Sequence, residues 1–152
     1  MTVIAKDQTR AIVVEETLPH APETIWTTLT RSDLIARWLM KNDFEPGLGR
    51  RFTTQSRPMA DWDGTVRCEI TAFDPPRLLR YTWIGGSTTS PDVGSALDSV
   101  VTWTLTPVEG GTKVRMVHDG FRSPQNDMGY DAMSQGWKSI LPRIGAIAAE
   151  LG

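Results

Sequence analysis

The chain has 152 residues, of which 39% are hydrophobic and 22% charged, and its formal net charge is -2. This composition excludes intrinsic disorder as the organising state, and the length suits one domain, residues 1–152, able to bury roughly 68–70% of its unfolded surface without metal or disulfide staples. Sixteen Lys and Arg against eighteen Asp and Glu leave no basic excess for neutralising phosphates, which argues against a nucleic-acid partner.

The first predicted element is a strand over Arg10–Leu18, β-branched and apolar with interspersed acids, and Pro19 and Pro22 end it. Pro22 then opens a helix, because a missing N–H costs little in a first turn. Ile25, Trp26 and Leu29, three to four apart, form its buried stripe. Ser32 and Asp33 read as a new N-cap, followed by a second short helical face of Leu34, Ile35, Trp38 and Leu39.

After Gly47 and Gly49 the period changes to alternation. Arg50–Ser56 is a predicted strand with Phe52 inward, and Gly64–Phe73 is the next, with Val66, Cys68, Ile70 and Ala72 on one side. Asp74-Pro75-Pro76 is a turn. Arg77–Ile84 follows with Leu79, Tyr81 and Trp83 on one face. Gly85–Ser95 is a long polar loop, expected to be the least ordered stretch. Ser99–Thr106, with Val101, Trp103 and Leu105 inward, and Lys113–His118, with Val114, Met116 and His118 inward, form a hairpin around Gly110-Gly111.

From Gln125 to Leu151, Met133, Trp137, Ile140, Leu141, Ile144, Ile147 and Leu151 recur every three or four residues. The expectation is one amphipathic helix of some seven turns, bent at Pro142 where a backbone donor is missing. The strands are too closely spaced for parallel crossovers. The predicted fold is therefore α+β: a curved six-stranded antiparallel sheet with two short helices and a long C-terminal helix across its apolar face.

Few residues are placed for chemistry. Two histidines, His20 and His118, and one cysteine, Cys68, form no metal-ligand spacing, so no metal site is expected. Nucleotide-binding glycine motifs are absent, and no cofactor is expected. The lone cysteine fits a reducing compartment. The N-terminal MTVIAKDQTR lacks the ~7–15-residue apolar core of a signal peptide, and no stretch approaches the ~18 apolar residues of a membrane span. A cytoplasmic protein without membrane insertion is expected. His118-Asp119 invites comparison with Ser/His/Asp catalysis, but neighbours on a strand point to opposite faces, and no serine sits in GxSxG. Glu15 or Glu16 would point inward from a regular first strand, where burial raises a carboxyl pKa.

The tryptophans are more informative. Trp supplies six of the twelve aromatic residues, the others being four Phe and two Tyr. Trp carries an N–H that needs a partner when buried, so Leu, Ile and Phe fill an ordinary core more easily. Tyr81, Trp83, Trp103, Met116, Met133 and Trp137 share the inferred inward faces, with Cys68 and Leu141 beside them and His118 at the edge. Each alone is explained by core packing. Together, under a helix laid over a curved sheet, they form the expected wall of an apolar cavity.

Several phrases in fixed order, APETIWTTLT, LIARWL, GTVRCEITAFDPPRLLRYTW, VTWTLTPVEGGTKVRMVHDGF and GWKSIL, resemble the START-like (SRPBCC) superfamily. Within it they resemble the activator of heat-shock protein 90 ATPase homologue family, in its single-domain bacterial form. The resemblance covers Val13 to Leu151 and implies a helix-grip fold with a cavity between sheet and helix. By position, Trp38 matches the family tryptophan that closes the second short helix. Pro76, Tyr81 and Trp83 fall in its PxxLxYTW stretch, His118, Gly120 and Phe121 in its HxGF stretch, and Gly136 and Trp137 in its GW motif. These positions are structural or pocket-lining rather than catalytic, which adds Trp38 to the expected wall.

The leading functional expectation is a non-catalytic domain binding a small apolar or aromatic, lipid- or polyketide-like molecule. The alternatives are a cyclase- or hydrolase-type enzyme using His118, Tyr81 and Glu15 or Glu16 in the same cavity, and a co-chaperone-like interaction module using its outer surface and the Gly85–Ser95 loop. A homodimer and a chaperone are further candidate partners.

Overall fold

A computed structural model describes residues 9–56, 63–85, 97–123 and 126–152. Most of the predicted Gly85–Ser95 loop lies outside the described residues, as does Trp62. The element order is β1 (Thr9–Leu18), α1 (Pro22–Thr30), α2 (Ser32–Trp38), β2 (Lys41–Asn42), β3 (Arg51–Gln55), β4 (Thr65–Asp74), β5 (Leu78–Gly85), β6 (Leu97–Val108), β7 (Gly111–Arg122), α3 (Asp127–Lys138) and α4 (Ile140–Leu151). All neighbouring strands pair antiparallel, in the spatial order β1-β7-β6-β5-β4-β3-β2. The helices cover one face of this curved sheet.

The sheet has seven strands, one more than the six predicted. The extra strand, β2, is two residues long and has no apolar alternation of its own. It is held by side chains: Asn42 Nδ2 donates to the Ser32 and Met40 carbonyls at 3.1 and 3.0 Å, and Ser32 Oγ donates to the Asn42 carbonyl at 3.0 Å. Ser32 is therefore engaged across the chain and does not cap α2, whose N-cap position is Arg31 with no side-chain cap bond.

Two bulges change which residues face the core. A register shift between Ile70 and Ala72 moves the inward row of β4 on by one, so Phe73 rather than the predicted Ala72 packs inward. Phe73 meets the Trp26 ring edge-on at 5.5 Å. The second shift, opposite Arg10 and Ala11 of β1, leaves Gly120 of β7 as the extra residue at φ +113°. Any side chain there would be strained and would press on the Asp98 carbonyl and Ser99 Cα, each 3.0 Å from its Cβ. This bulge turns both His118 and Phe121 inward, three residues apart, and carries β7 beyond its predicted end at His118.

The C-terminal helix also differs from expectation. It is two helices, α3 and α4, that meet at Ser139, not one helix bent at Pro142. Pro142 sits in the first turn of α4, where its missing N–H leaves no helical bond unmade. Just before it, Ser139 N donates to the Gly136 carbonyl at 3.1 Å, a tighter turn than the α-helix uses. The proline thus acts one turn upstream, by favouring a fresh helix start. Arg10 anchors α3 to β1 through Asp127 at 2.6 Å and through the Tyr130 ring, 3.9 Å from its guanidinium. Arg37 of α2 holds α4 through a two-pronged pair with Glu150, at 3.0 and 2.6 Å.

Candidate functional site

The inner faces of β5, β6 and β7 place a chain of polar groups under α3. Trp137 Nε1 donates to His118 Nδ1 at 3.0 Å, His118 Nε2 lies 2.8 Å from Ser99 Oγ, and Ser99 Oγ lies 2.9 Å from the Trp83 carbonyl. An indole N–H can only donate, so His118 Nδ1 must accept and its single proton sits on Nε2. His118 then donates to Ser99, and Ser99 donates to the carbonyl, leaving each donor and acceptor of the chain matched. His118 is fully buried, and burial holds its pKa down to about 3.

This arrangement is a poor catalyst. In a serine–histidine pair the base must accept the hydroxyl proton, and a carboxylate on its other nitrogen must stabilise the resulting cation. Here the other nitrogen faces a donor, which opposes that cation. Asp119 points outward, as the strand alternation predicts.

The remaining enzymatic candidates do not converge on His118. Tyr81, Val101 and His118 lie in one cross-strand row, so Tyr81 is two strands, roughly 10 Å, from the histidine. The Tyr81 hydroxyl accepts from Trp103 Nε1 at 3.1 Å, and burial pushes its pKa upward. Glu15 is on the outer surface beside Arg115 and Lys113, at 3.3 and 3.8 Å, and Glu16 is exposed. Burial also pushes the Cys68 thiol up to about 12, so it stays protonated and inert. Among the described residues, no group of three or more His, Cys, Asp or Glu side chains comes together as a metal site, and no helix is long and apolar enough to cross a membrane.

Seven of the residues expected to line a cavity, Trp38, Cys68, Tyr81, Trp103, Met116, His118 and Leu141, are buried. Trp38 meets Trp103 edge-on at 5.5 Å, Trp103 meets Trp137 at 6.1 Å, and Phe52 meets Tyr81 at 5.2 Å. Trp38 Nε1 donates to the Thr28 carbonyl at 2.8 Å. The other three, Trp83, Met133 and Trp137, border an open depression of about 320 Å³ at the joint of α3 and α4. Leu39 and Met40 bound it from the end of α2, Ala132 and Gly136 from α3, and Ser139, Ile140 and Arg143 from the joint and α4.

Sequence reasoning missed most of this second set, because a regular helical stripe does not show a break at Ser139. One signal was present. A glycine inside a helix costs about 1 kcal/mol relative to alanine, and Gly136 has open space where a Cβ would stand. Its missing side chain leaves the depression empty rather than relieving a clash.

An antiparallel sheet gripping a C-terminal helix pair around an aromatic interior defines a START-like protein of the helix-grip class. The profile described as "Activator of Hsp90 ATPase homolog 1-like protein" matches residues 19–149, and the chain belongs to that family. It is similar to the solved protein MLL2253 from Mesorhizobium loti, with 38% identity, 94% of this chain and 99% of that chain covered, and a TM-score of 0.82. It also shares its fold with protein BH1534 from Bacillus halodurans (24% identity, 91% and 96% covered, TM-score 0.71). The Aha1 dimer from Colwellia psychrerythraea has the same fold (17% identity, 90% and 93% covered, TM-score 0.69). No curated protein matches the chain.

Proposed function

We propose that this chain is a single, non-catalytic domain that binds one small apolar or aromatic molecule in the depression at the α3–α4 joint. The observation that carries this reading is a mostly apolar hollow walled by two fixed indoles. Trp137 is held by its bond to His118, and Trp83 meets Trp137 edge-on at 5.9 Å. Such a wall offers rigid contact area without an ordering cost on binding. The volume of about 320 Å³ lies at the lower end of the ~300–1,000 Å³ of small-molecule sites, which favours a ring system or short acyl chain over a long lipid. The polar chain behind Trp137 serves this role by orienting the indole.

Titration of the protein with a library of aromatic and short-chain compounds, followed by tryptophan fluorescence, tests the reading. Saturable quenching or a spectral shift is expected with some members, and the Gly136→Leu variant should lose it by filling the hollow. A library without any saturable response would overturn the proposal.

A further inference from the structure

The structure also points to the chemical class of the ligand: we infer that it carries a carboxylate, which pairs with Arg143 while the apolar body lies against Trp83, Met133 and Trp137. This rests on reading the depression as a binding site. Arg143 is the one charged side chain among the described residues bounding it, and no acid is among those residues. Its neighbour on the same helix face behaves differently. Glu150, seven residues and two turns further along α4, is fully engaged by Arg37. Arg143 has no ion-pair partner among the described residues.

An apolar occupant without charge would leave this guanidinium without a partner, and a cationic occupant would be repelled. A carboxylate satisfies the planar fork with two parallel hydrogen bonds. Because Arg143 is exposed, the anion would sit at the mouth with its body inward. The missing side chain of Gly136 leaves space for that body, since nothing stands within 4 Å of a Cβ there.

Isothermal titration of the full chain at neutral pH with 2-naphthoate and with its neutral isostere 2-naphthamide tests this. The wild type should bind the acid about tenfold more tightly than the amide. Arg143→Gln should bring the acid down to the level of the amide and leave the amide unchanged. Gly136→Leu, checked for folding by circular dichroism, should lose both. Equal affinity for the two compounds, or a preference that survives Arg143→Gln, overturns the carboxylate inference and leaves the binding site standing. Binding of neither compound, or undiminished binding by Gly136→Leu, overturns both.

Discussion

The interior beneath α3 and the hollow at its joint with α4 share a boundary, the Trp137 side chain, yet they are built on opposite terms. Beneath the helix, aromatic rings meet edge-on and the polar atoms find partners: Trp103 bonds to Tyr81, Trp38 to the Thr28 carbonyl, and Trp137 to His118. One turn away, Gly136 and Ala132 border the hollow with Trp83, and Arg143 supplies a charge with no ion-pair partner among the described residues. The comparison teaches that inward-facing aromatics do not by themselves make a site. What distinguishes the hollow is open volume beside a charged side chain.

The sharpest way to break this comparison is to truncate on each side of it. Trp103→Ala should cost about 3–5 kcal/mol in denaturant unfolding, because Trp38, Trp137 and Tyr81 all lose a contact. Met133→Ala, at the half-exposed rim, should cost far less and should instead weaken ligand binding. Similar losses at the two positions would show that the hollow is as tightly packed as the core.

His118→Leu should cost about 2–3 kcal/mol by stranding the Trp137 N–H and the Ser99 hydroxyl in the interior. The pH dependence checks the same group. The folded pKa lies near 3 and the ordinary value is 6.5, so the unfolded chain takes up a proton that the folded chain refuses. Stability is therefore complete above pH 6.5 and falls as the pH drops toward 3, with a slope of at most about 1.4 kcal/mol per unit. Unfolding measured between pH 6.5 and 5, above the main carboxylate titrations, should show this slope in the wild type and lose it in His118→Leu.

Two smaller effects have the opposite sign. Thr54 Oγ1 is buried without a hydrogen-bond partner among the described residues, so Thr54→Val should raise stability by about 1 kcal/mol through removal of an unsatisfied group. Gly136→Ala should raise it by up to about 1 kcal/mol, because the helix gains propensity and the new methyl enters open space. A destabilised Gly136→Ala would mean that the position is constrained by packing, and the case for a deliberate vacancy would fail.

The sequence by itself determined the fold class and most of the strand faces. Alternation from Val66 to Ile70, in Leu79, Tyr81 and Trp83, and from Val101 to Leu105 is a local signal, because a strand turns each successive side chain to the opposite face. The ordered phrases likewise pointed to the family. Tertiary structure decided the rest. The two bulges, which exchange Ala72 for Phe73 and bring Phe121 inward with His118, depend on how neighbouring strands pair. Strand β2 depends on Ser32 and Asn42 meeting across ten residues. The hollow depends on the helix restarting at Ser139, which carries Ile140 and Arg143 to a place that an unbroken stripe does not indicate. Periodicity records which way a side chain points, but whether the space in front of it is occupied is set by other elements. Of the ten residues expected to line a cavity, Trp83, Met133 and Trp137 border the hollow.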